Sequence, residues 1–284
     1  MNELYEIDLR DKASYDGSKS LRDKRLEIEQ HAAQKFLSGR DLFAYKGYCL
    51  VCEQESLFSI DWLYAQKPMP NWRERLVCSG CNLSNRQRYI MYLLVSSLKN
   101  QPSPRVYLQE QVTPFYKTAC DLLGSENVIG SEYLGPSLKQ GSEVNGLRHE
   151  DAEHLSFHDA EFHAVVSNDV LEHVNDLYAA LLEMRRVLVP GGIGLVSIPL
   201  HTADAKSERR ARFNQDGTIT HYAEPEYHGN YILESGSLVY TDIGWDILAT
   251  ALSAGFSSAV ARGYWSLHHG HLGGGLQIVL IFRC

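Results

Sequence analysis

No stretch of the 284-residue sequence approaches the ~18 consecutive apolar residues that a membrane-spanning helix needs, so we expect no membrane span. The first five residues lack the basic and apolar regions of a secretory signal. Cysteine is sparse at six residues, which argues against a disulfide-dense secreted scaffold and favours a reduced, cytoplasmic protein. Basic side chains are outnumbered, 27 to 35, for a net charge of −8. Because nucleic-acid binders are usually basic, the charge disfavours nucleic acid as a partner.

What the chain does contain is enough apolar material for a core. Hydrophobic residues make up 44% of the sequence and aromatic residues 10%, which argues against disorder. The length allows one large domain, or one ordinary domain with a small one beside it.

Four of the six cysteines form two CxxC pairs, Cys49-Leu-Val-Cys52 and Cys78-Ser-Gly-Cys81, separated by 25 residues. Two such pairs can supply four thiolates to one tetrahedral ion, and sites of this kind are usually structural zinc. A four-thiolate site has no open position for chemistry, so we expect a zinc ribbon that holds a small domain together. Two disulfides or four unrelated buried thiols are the alternatives.

The segments around these cysteines suggest a separate N-terminal domain. Apolar residues recur at helical spacing from Ser18 to Ser38, and a second helical run extends from Gln87 to Leu98. The polar stretch 99–104 carries two prolines and marks the best domain boundary. We therefore expect a helical and zinc-ribbon domain over residues 1–100 and a second domain over residues 105–284.

Beyond residue 105 strands alternate with helices. The expected strands are Val106–Leu108, Val128–Gly130, Phe162–Ser167, Ile193–Ile198, Ala259–Trp265 and Gln277–Phe282, and the expected helices are Phe115–Leu123, Leu177–Leu188 and Ile243–Ala254. Thr113-Pro114 is a good start for the first helix, with threonine as the N-cap. This alternation predicts a doubly wound α/β domain.

Three motifs in this half resemble class I S-adenosylmethionine-dependent methyltransferases of type 11. Residues 167–174 read SNDVLEHV, residues 188–192 read LVPGG, and residues 151–157 read DAEHLSF, similar to the family's D-A-x-x-L-P-F element. The resemblance covers roughly residues 105–284. It implies a Rossmann-like seven-stranded sheet whose last strand is antiparallel, and an enzyme that transfers a methyl group from S-adenosylmethionine.

The resemblance also implies a cofactor site. Glu132 follows the second strand, where an acidic residue accepts hydrogen bonds from ribose hydroxyls in doubly wound folds. Asp151 would accept from the adenine amino group, with the Ala152 backbone completing that edge. Asn168 and Asp169 close a strand at its carboxyl end, where ligands bind in open α/β sheets.

The turn after the first strand departs from the family pattern. Residues 106–114 read VYLQEQVTP, without the glycines that let a backbone approach the cofactor. One interpretation is a remodelled loop in which Glu110 or Thr113 contacts the cofactor's amino-acid end. The other is a decayed pocket in a domain that serves as a scaffold.

Three histidines are candidate bases for an acceptor. His201 follows the apolar strand at the ligand-facing edge, His173 lies in the LEH element, and His228 lies in an insertion at about 202–240, where the family builds a substrate lid. Each also has an ordinary structural interpretation. The His-rich stretch 268–271 is explained more simply by a glycine-rich hairpin loop than by a second metal site.

The expected function is methyl transfer to a small-molecule or glycan acceptor at oxygen or nitrogen. A homodimer is a possible assembly. A catalytically degenerate scaffold that acts through protein–protein interaction is the alternative. A third hypothesis is methylation of RNA or protein with the ribbon as the substrate reader, and it rests on the basic cluster Arg73, Arg75, Arg86 and Arg88.

Overall fold

The computed structural model describes residues 3–37, 39–65, 67–230 and 232–284. Met1 and Asn2 of the N-terminal segment, Ser38 at the predicted helix end, Gln66, and Tyr231 of the predicted lid lie outside the described residues. No helix in the described part of the chain is long and apolar enough to cross a bilayer.

The first hundred residues form strands and helices around the cysteine pairs. These elements are β1 (Tyr5–Leu9), α1 (Lys12–Gly17), α2 (Lys19–Leu37), β2 (Leu42–Cys49), β3 (Gln54–Asp61), β4 (Val77–Cys78) and α3 (Asn85–Leu98). The antiparallel sheet β2-β3-β4 carries Cys49 and Cys78. The two predicted helices are confirmed as α2 and α3.

The rest of the chain alternates strands with helices. The elements are β5 (Val106–Leu108), α4 (Pro114–Leu123), β6 (Val128–Gly130), β7 (Glu143–Val144), β8 (Leu147–Arg148), β9 (Phe162–Asn168), α5 (Leu177–Val187), β10 (Leu188–Ser197), β11 (Glu208–Arg209), β12 (Ala211–Phe213), β13 (Ile219–His221), β14 (Tyr227–His228), β15 (Ser237–Leu238), β16 (Thr241–Asp242), α6 (Ile247–Ser253), β17 (Ser258–Trp265) and β18 (Gln277–Arg283). Short 3-10 turns occupy Ser125–Asn127 and Leu171–His173.

One predicted helix is shorter than expected. The segment from Ile243 becomes helical only at Ile247, because residues 243–246 bond to the chain before them instead. The backbone N–H of His201 donates to the Ile243 carbonyl at 2.9 Å, and Asp246 accepts from the Ser207 backbone at 2.8 Å.

The main sheet has seven strands in the order β1-β17-β18-β10-β9-β5-β6. Strands β6, β5, β9 and β10 run parallel to one another, whereas β18 runs antiparallel to β10. The predicted α/β sheet with an antiparallel last strand is confirmed. The sequence analysis gave no expectation for β1, although Tyr5, Ile7 and Leu9 alternate with acidic residues, as a strand with one buried face requires.

The chain divides into two compact units. Unit 1 comprises residues up to Leu9, Ala13–Ser96 and Arg262–Val279, and unit 2 comprises Arg10–Lys12, Ser97–Ala261 and Leu280–Cys284. The sequence-derived domains at 1–100 and 105–284 stay a prediction. The structural units differ from them in taking Arg262–Val279 into unit 1.

Arg88 ties that late segment into unit 1. Its side chain is fully buried, and its guanidinium donates to the carbonyls of His269 at 2.6 Å, Gly270 at 2.7 Å and Leu76 at 3.2 Å. The planar fork also lies over the Phe58 ring, 4.1 Å from its centre. Arg88 is therefore a structural cation that binds the backbone of this late segment.

The other three arginines of the predicted basic cluster are paired as well. Arg75 forms a two-pronged ion pair with Asp61 at 2.6 and 2.7 Å, while Arg73 and Arg86 both contact Glu74. Two carboxylates pair three of these arginines and the fourth, Arg88, is buried, which leaves little free basic surface to support an RNA-reading ribbon.

Replacing Arg88 by Met is expected to lower the free energy of unfolding of unit 1 by about 3 kcal/mol or more. The change leaves three buried carbonyls without a donor, and each unpaired group costs about 1–3 kcal/mol. Lysine at the same position keeps the charge but lacks the planar set of guanidinium donors, so Arg88→Lys should restore only part of the lost stability. Urea denaturation measures these differences.

The exposed Lys99→Met variant is the control, and it should shift stability by less than about 0.5 kcal/mol. Equal stability of Arg88→Met and the unmodified protein would contradict the structural role.

Candidate functional site

Four parallel strands of unit 2 end at one edge of the sheet. Leu108 at the end of β5 pairs with Gly130 in β6 and with Val166 in β9, and Ser197 at the end of β10 pairs with Asn168. Ligands in open α/β sheets bind outside the carboxyl ends of such strands. The residues that follow these ends are therefore the candidate site.

The Glu110 carboxylate organises the turn after β5. It is buried, accepts a hydrogen bond from Asn168 Nδ2 at 2.5 Å and a second, short one from Thr113 Oγ1. Thr113 in turn accepts from the Tyr116 backbone at 3.2 Å and caps α4, as its sequence predicted. One carboxylate thus joins the β5 turn, the start of α4 and the end of β9.

Glu132 holds the tip of the same turn. Its Oε1 accepts from the backbone N–H of Gln111 at 2.7 Å and of Val112 at 3.0 Å. Burial raises the pKa of Glu132, and the two backbone hydrogen bonds oppose that rise. The turn lacks glycine, but it is an ordered loop folded around two carboxylates.

Asp169 has a strained backbone at the end of β9. Its φ of 52° lies in the left-handed region, which is uncommon for residues other than glycine and concentrates at functional sites. Its N–H donates to the Ser197 carbonyl at 2.8 Å, and Ser197 Oγ donates to Asn168 Oδ1 at 3.2 Å. Asn168 and Asp169 are therefore fixed against β10.

A cavity of about 370 Å³ lies in the same unit, within the range of small-molecule sites. Asp151, Ala152 and Glu153 line it, together with Phe213 and Tyr240 from the insertion at 202–240. No lysine or arginine is among the residues that line it.

The acidic character of this cavity shows in its titratable groups. Burial raises the pKa of Tyr133 to about 12 and raises that of Glu153, in both cases with a further contribution from the Asp151 charge. The cavity therefore favours a ligand that carries positive charge or hydrogen-bond donors.

Two of the three candidate bases lie together. The rings of His173 and His228 are 5.0 Å apart and edge to face, and both face Glu172. The neighbouring Glu172 carboxylate is the main cause that raises the pKa of His228, while burial opposes it. Of the three histidines, only His173 lines the cavity.

His201 lies apart from this pair. Its ring nitrogens are 3.6 Å from Asp204 Oδ2 and 3.7 Å from Asp242 Oδ1, and its side chain is 42% exposed.

In unit 1 the four predicted zinc ligands form one cluster. Cys49 Sγ and Cys81 Sγ are 3.9 Å apart, Cys52 Sγ and Cys78 Sγ are 3.8 Å apart, and all four sulfurs lie within 4.8 Å of one another. Four thiolates around zinc, with bonds of about 2.3 Å, are about 3.8 Å apart. All four cysteines are free thiols rather than disulfides, and their spacing can hold a tetrahedral ion.

Residues 111–196 match the family model described as a methyltransferase domain. This part of the chain, under a third of its length, is similar to a methyltransferase domain. The resemblance that its motifs indicated is thereby confirmed. No curated protein sequence matches the chain significantly.

Several solved structures are similar to it in fold. An S-adenosylmethionine-dependent methyltransferase from Mesorhizobium loti is 13% identical, with 69% of this chain and 98% of that chain covered and a TM-score of 0.41. A 1,6-didemethyltoxoflavin-N1-methyltransferase from Burkholderia thailandensis is 15% identical over 69% and 77%, with a TM-score of 0.38. An S-adenosylmethionine-dependent methyltransferase from Methanosarcina mazei is 14% identical over 67% and 96%, with a TM-score of 0.35.

The residues of the methyltransferase domain fit a cationic nucleoside cofactor. Three carboxylates, on Glu110, Glu132 and Asp169, follow the strand ends, and the cavity of the same unit is lined by Asp151 and Glu153 without a lysine or arginine. S-adenosylmethionine carries a sulfonium and an ammonium group and no phosphate, so a glycine loop that cradles phosphate is not required.

Two features of the methyltransferase domain were missed at the sequence level. Glu172 is inside the quoted LEH motif, but its burial between two histidines depends on the insertion folding back. Tyr240 reaches the cavity because its backbone N–H donates to the Glu172 carbonyl at 2.8 Å. The LEH motif could have identified Glu172 as a candidate site residue, whereas no local sequence pattern identifies Tyr240.

Thr113→Val is expected to destabilise the methyltransferase domain by about 1–2 kcal/mol, because it removes both the helix cap and a donor to the buried Glu110. Thr113→Ser retains the hydroxyl and should stay within about 0.5 kcal/mol of the unmodified protein. Chemical denaturation followed by circular dichroism measures both. Equal losses in the two variants would show that the hydroxyl is not what organises the turn.

Proposed function

We propose that the methyltransferase domain transfers a methyl group from S-adenosylmethionine to a small-molecule or glycan acceptor, at oxygen or nitrogen. The observation that carries this proposal is the set of buried or partly buried carboxylates at the strand ends, near an acidic cavity that the insertion helps to line. S-adenosylmethionine, when bound, supplies an activated methyl group, so the main task of the chain is to position two reactants.

Each part of the cofactor is assigned to residues that follow the carboxyl ends of the parallel strands. Glu132 would accept from the ribose hydroxyls, since only its Oε1 is bonded to the loop. Asp151 and the Ala152 backbone would bind adenine, because both line the cavity. Glu110, Thr113, Asn168 and Asp169 would form the end that receives the cofactor's ammonium group, since Glu110 joins Thr113 and Asn168 in one hydrogen-bonded group.

The acceptor would enter on the side of the insertion. Phe213, Ile219 and Tyr240 offer apolar and hydroxyl-bearing surface there, which suits a small hydroxyl-rich molecule. His173 is the candidate base that lines the cavity. His228 shares the neighbour Glu172 with His173. His201, which follows β10, stays a third candidate.

We also propose that Cys49, Cys52, Cys78 and Cys81 bind structural zinc. Support comes from the sulfur spacing and from the location of two ligands on the small sheet β2-β3-β4. A homodimer and a cytoplasmic location stay predictions from the sequence.

Calorimetric titration with S-adenosylmethionine and S-adenosylhomocysteine tests the cofactor assignment. Micromolar binding is expected, and the double variant Glu132→Ala, Asp151→Ala should weaken it about 30-fold or more, because it removes two acceptors worth about 1–2 kcal/mol each.

The matched control is Asp121→Ala, Glu143→Ala, which removes the same charge from two exposed carboxylates and should bind like the unmodified protein. No binding of either ligand to folded protein would overturn the proposal in favour of a scaffold. Equal weakening in the two double variants would point to net charge rather than to a site.

Metal analysis tests the zinc assignment. We expect about one zinc per chain that resists a weak chelator, and its loss in Cys49→Ser, Cys78→Ser together with a lower melting temperature. Cys120→Ser, which changes a cysteine outside the cluster, should retain the ion. Loss of zinc with an unchanged melting temperature would mean that the ion is not structural.

A further inference from the structure

The Glu172 side chain is buried without a hydrogen-bond donor. It is 1% exposed, and neither carboxylate oxygen accepts a hydrogen bond. Leaving a carboxylate in this state costs several kcal/mol unless a cation compensates it. No lysine or arginine forms an ion pair with it among the described residues; its charged neighbours are the two imidazoles.

The distances from Glu172 to these imidazoles are those of ligands around an ion. Oε1 is 3.7 Å from His173 Nε2 and 3.6 Å from His228 Nδ1, and the three ligand atoms all lie within 4.8 Å of one another. Hydrogen bonds to oxygen would be about 2.7–3.2 Å long. Ligands bound at about 2.1 Å to a tetrahedral ion lie about 3.4 Å apart.

In each imidazole, the ring nitrogen that does not face Glu172 lies near an oxygen atom, as in metal-binding histidines. His173 Nδ1 is 2.8 Å from the Leu238 carbonyl, which can only accept, so Nδ1 donates there and Nε2 is the ring nitrogen that faces Glu172. His228 Nε2 lies 3.4 Å from Glu226 Oε1. Carbonyl and carboxylate partners of this kind orient metal-ligating imidazoles.

The three groups come from two elements that pack together. Glu172 and His173 lie on the 3-10 turn Leu171–His173, and His228 lies on β14 of the insertion. The Tyr240 N–H holds the insertion to the turn by its bond to the Glu172 carbonyl. The cluster therefore exists only when the insertion is folded over the domain.

We propose that Glu172, His173 and His228 bind a divalent first-row transition-metal ion, such as Mn²⁺, Fe²⁺ or Zn²⁺. Two imidazoles and one carboxylate are a nitrogen–oxygen set that suits these ions, and three protein ligands leave an open coordination position. This site is separate from the four-cysteine cluster, whose soft thiolates select a different chemistry.

His173 also lines the 370 Å³ cavity, so the ion would lie at its border. A hydroxyl of the acceptor bound at the open position would release its proton to solvent more readily. That role rests on the proposed function, whereas binding of the ion does not.

Titration with Mn²⁺ tests the site in protein that carries one equivalent of zinc, which the four-cysteine cluster takes up, with free Mn²⁺ followed by electron paramagnetic resonance. Because Mn²⁺ prefers nitrogen and oxygen ligands, the thiolate cluster does not compete. We expect about one Mn²⁺ per chain, with affinity reduced at least tenfold in His228→Ala and in Glu172→Gln. Both should keep the fold, since His228 is about one-third exposed and glutamine is nearly isosteric with glutamate.

The matched control is His221→Ala, which removes an exposed histidine of the same insertion and should bind Mn²⁺ normally. Absence of Mn²⁺ binding, with no second equivalent of Fe²⁺ or Zn²⁺, would overturn the proposal, and so would unchanged binding in both site variants. Cofactor titration is a separate measurement, so failure of this site and failure of the proposed function are distinguishable.

Discussion

The buried Glu110 carboxylate is the constraint on which the candidate site depends. A turn between a parallel strand and its helix usually relies on glycine to bring backbone close to a ligand. Here Glu110 joins Thr113 to Asn168, and Glu132 binds the backbone of Gln111 and Val112. Hydrogen bonds to these two carboxylates hold the backbone of the turn in place, as glycine torsions do in other turns of this kind. The same carboxylates bring negative charge to the edge of the sheet where a cationic cofactor would bind.

The insertion at 202–240 gives the second half of the site. Its contacts to the domain are polar: Tyr240 N–H to the Glu172 carbonyl, His173 Nδ1 to Leu238, and Arg209 to Asn175 at 2.9 Å. Such contacts hold a segment in place without burying much apolar surface, and elements of this type open at low free-energy cost. An insertion that closes the cavity by hydrogen bonds suits a site that must admit and release an acceptor.

The sequence predicted the sheet well because its strands follow local rules. Residues 193–198 are almost wholly apolar and become a buried central strand, and the Thr113-Pro114 start is confirmed as a helix cap. Strand β1 was missed because five alternating residues are a weak signal alone. The cysteine cluster follows from spacing, whereas the pairing of His173 with His228 joins positions 55 residues apart and depends on how the insertion folds. Buried Arg88 helps to join Arg262–Val279 to unit 1, although its charge indicated a surface instead.

Electrostatics connect the two proposals made for the methyltransferase domain. Burial raises the pKa of Glu132 and of Glu153, which means that the folded protein holds these charges at a cost. Glu172 is also buried, and neither of its carboxylate oxygens accepts a hydrogen bond. A fold that retains carboxylates in this state is more stable when cations bind beside them, because binding restores the interactions that burial removed. An acidic cavity beside a two-histidine, one-carboxylate cluster is thus selective for positive charge at both positions: a sulfonium cofactor at the sheet edge and a metal ion beneath the insertion.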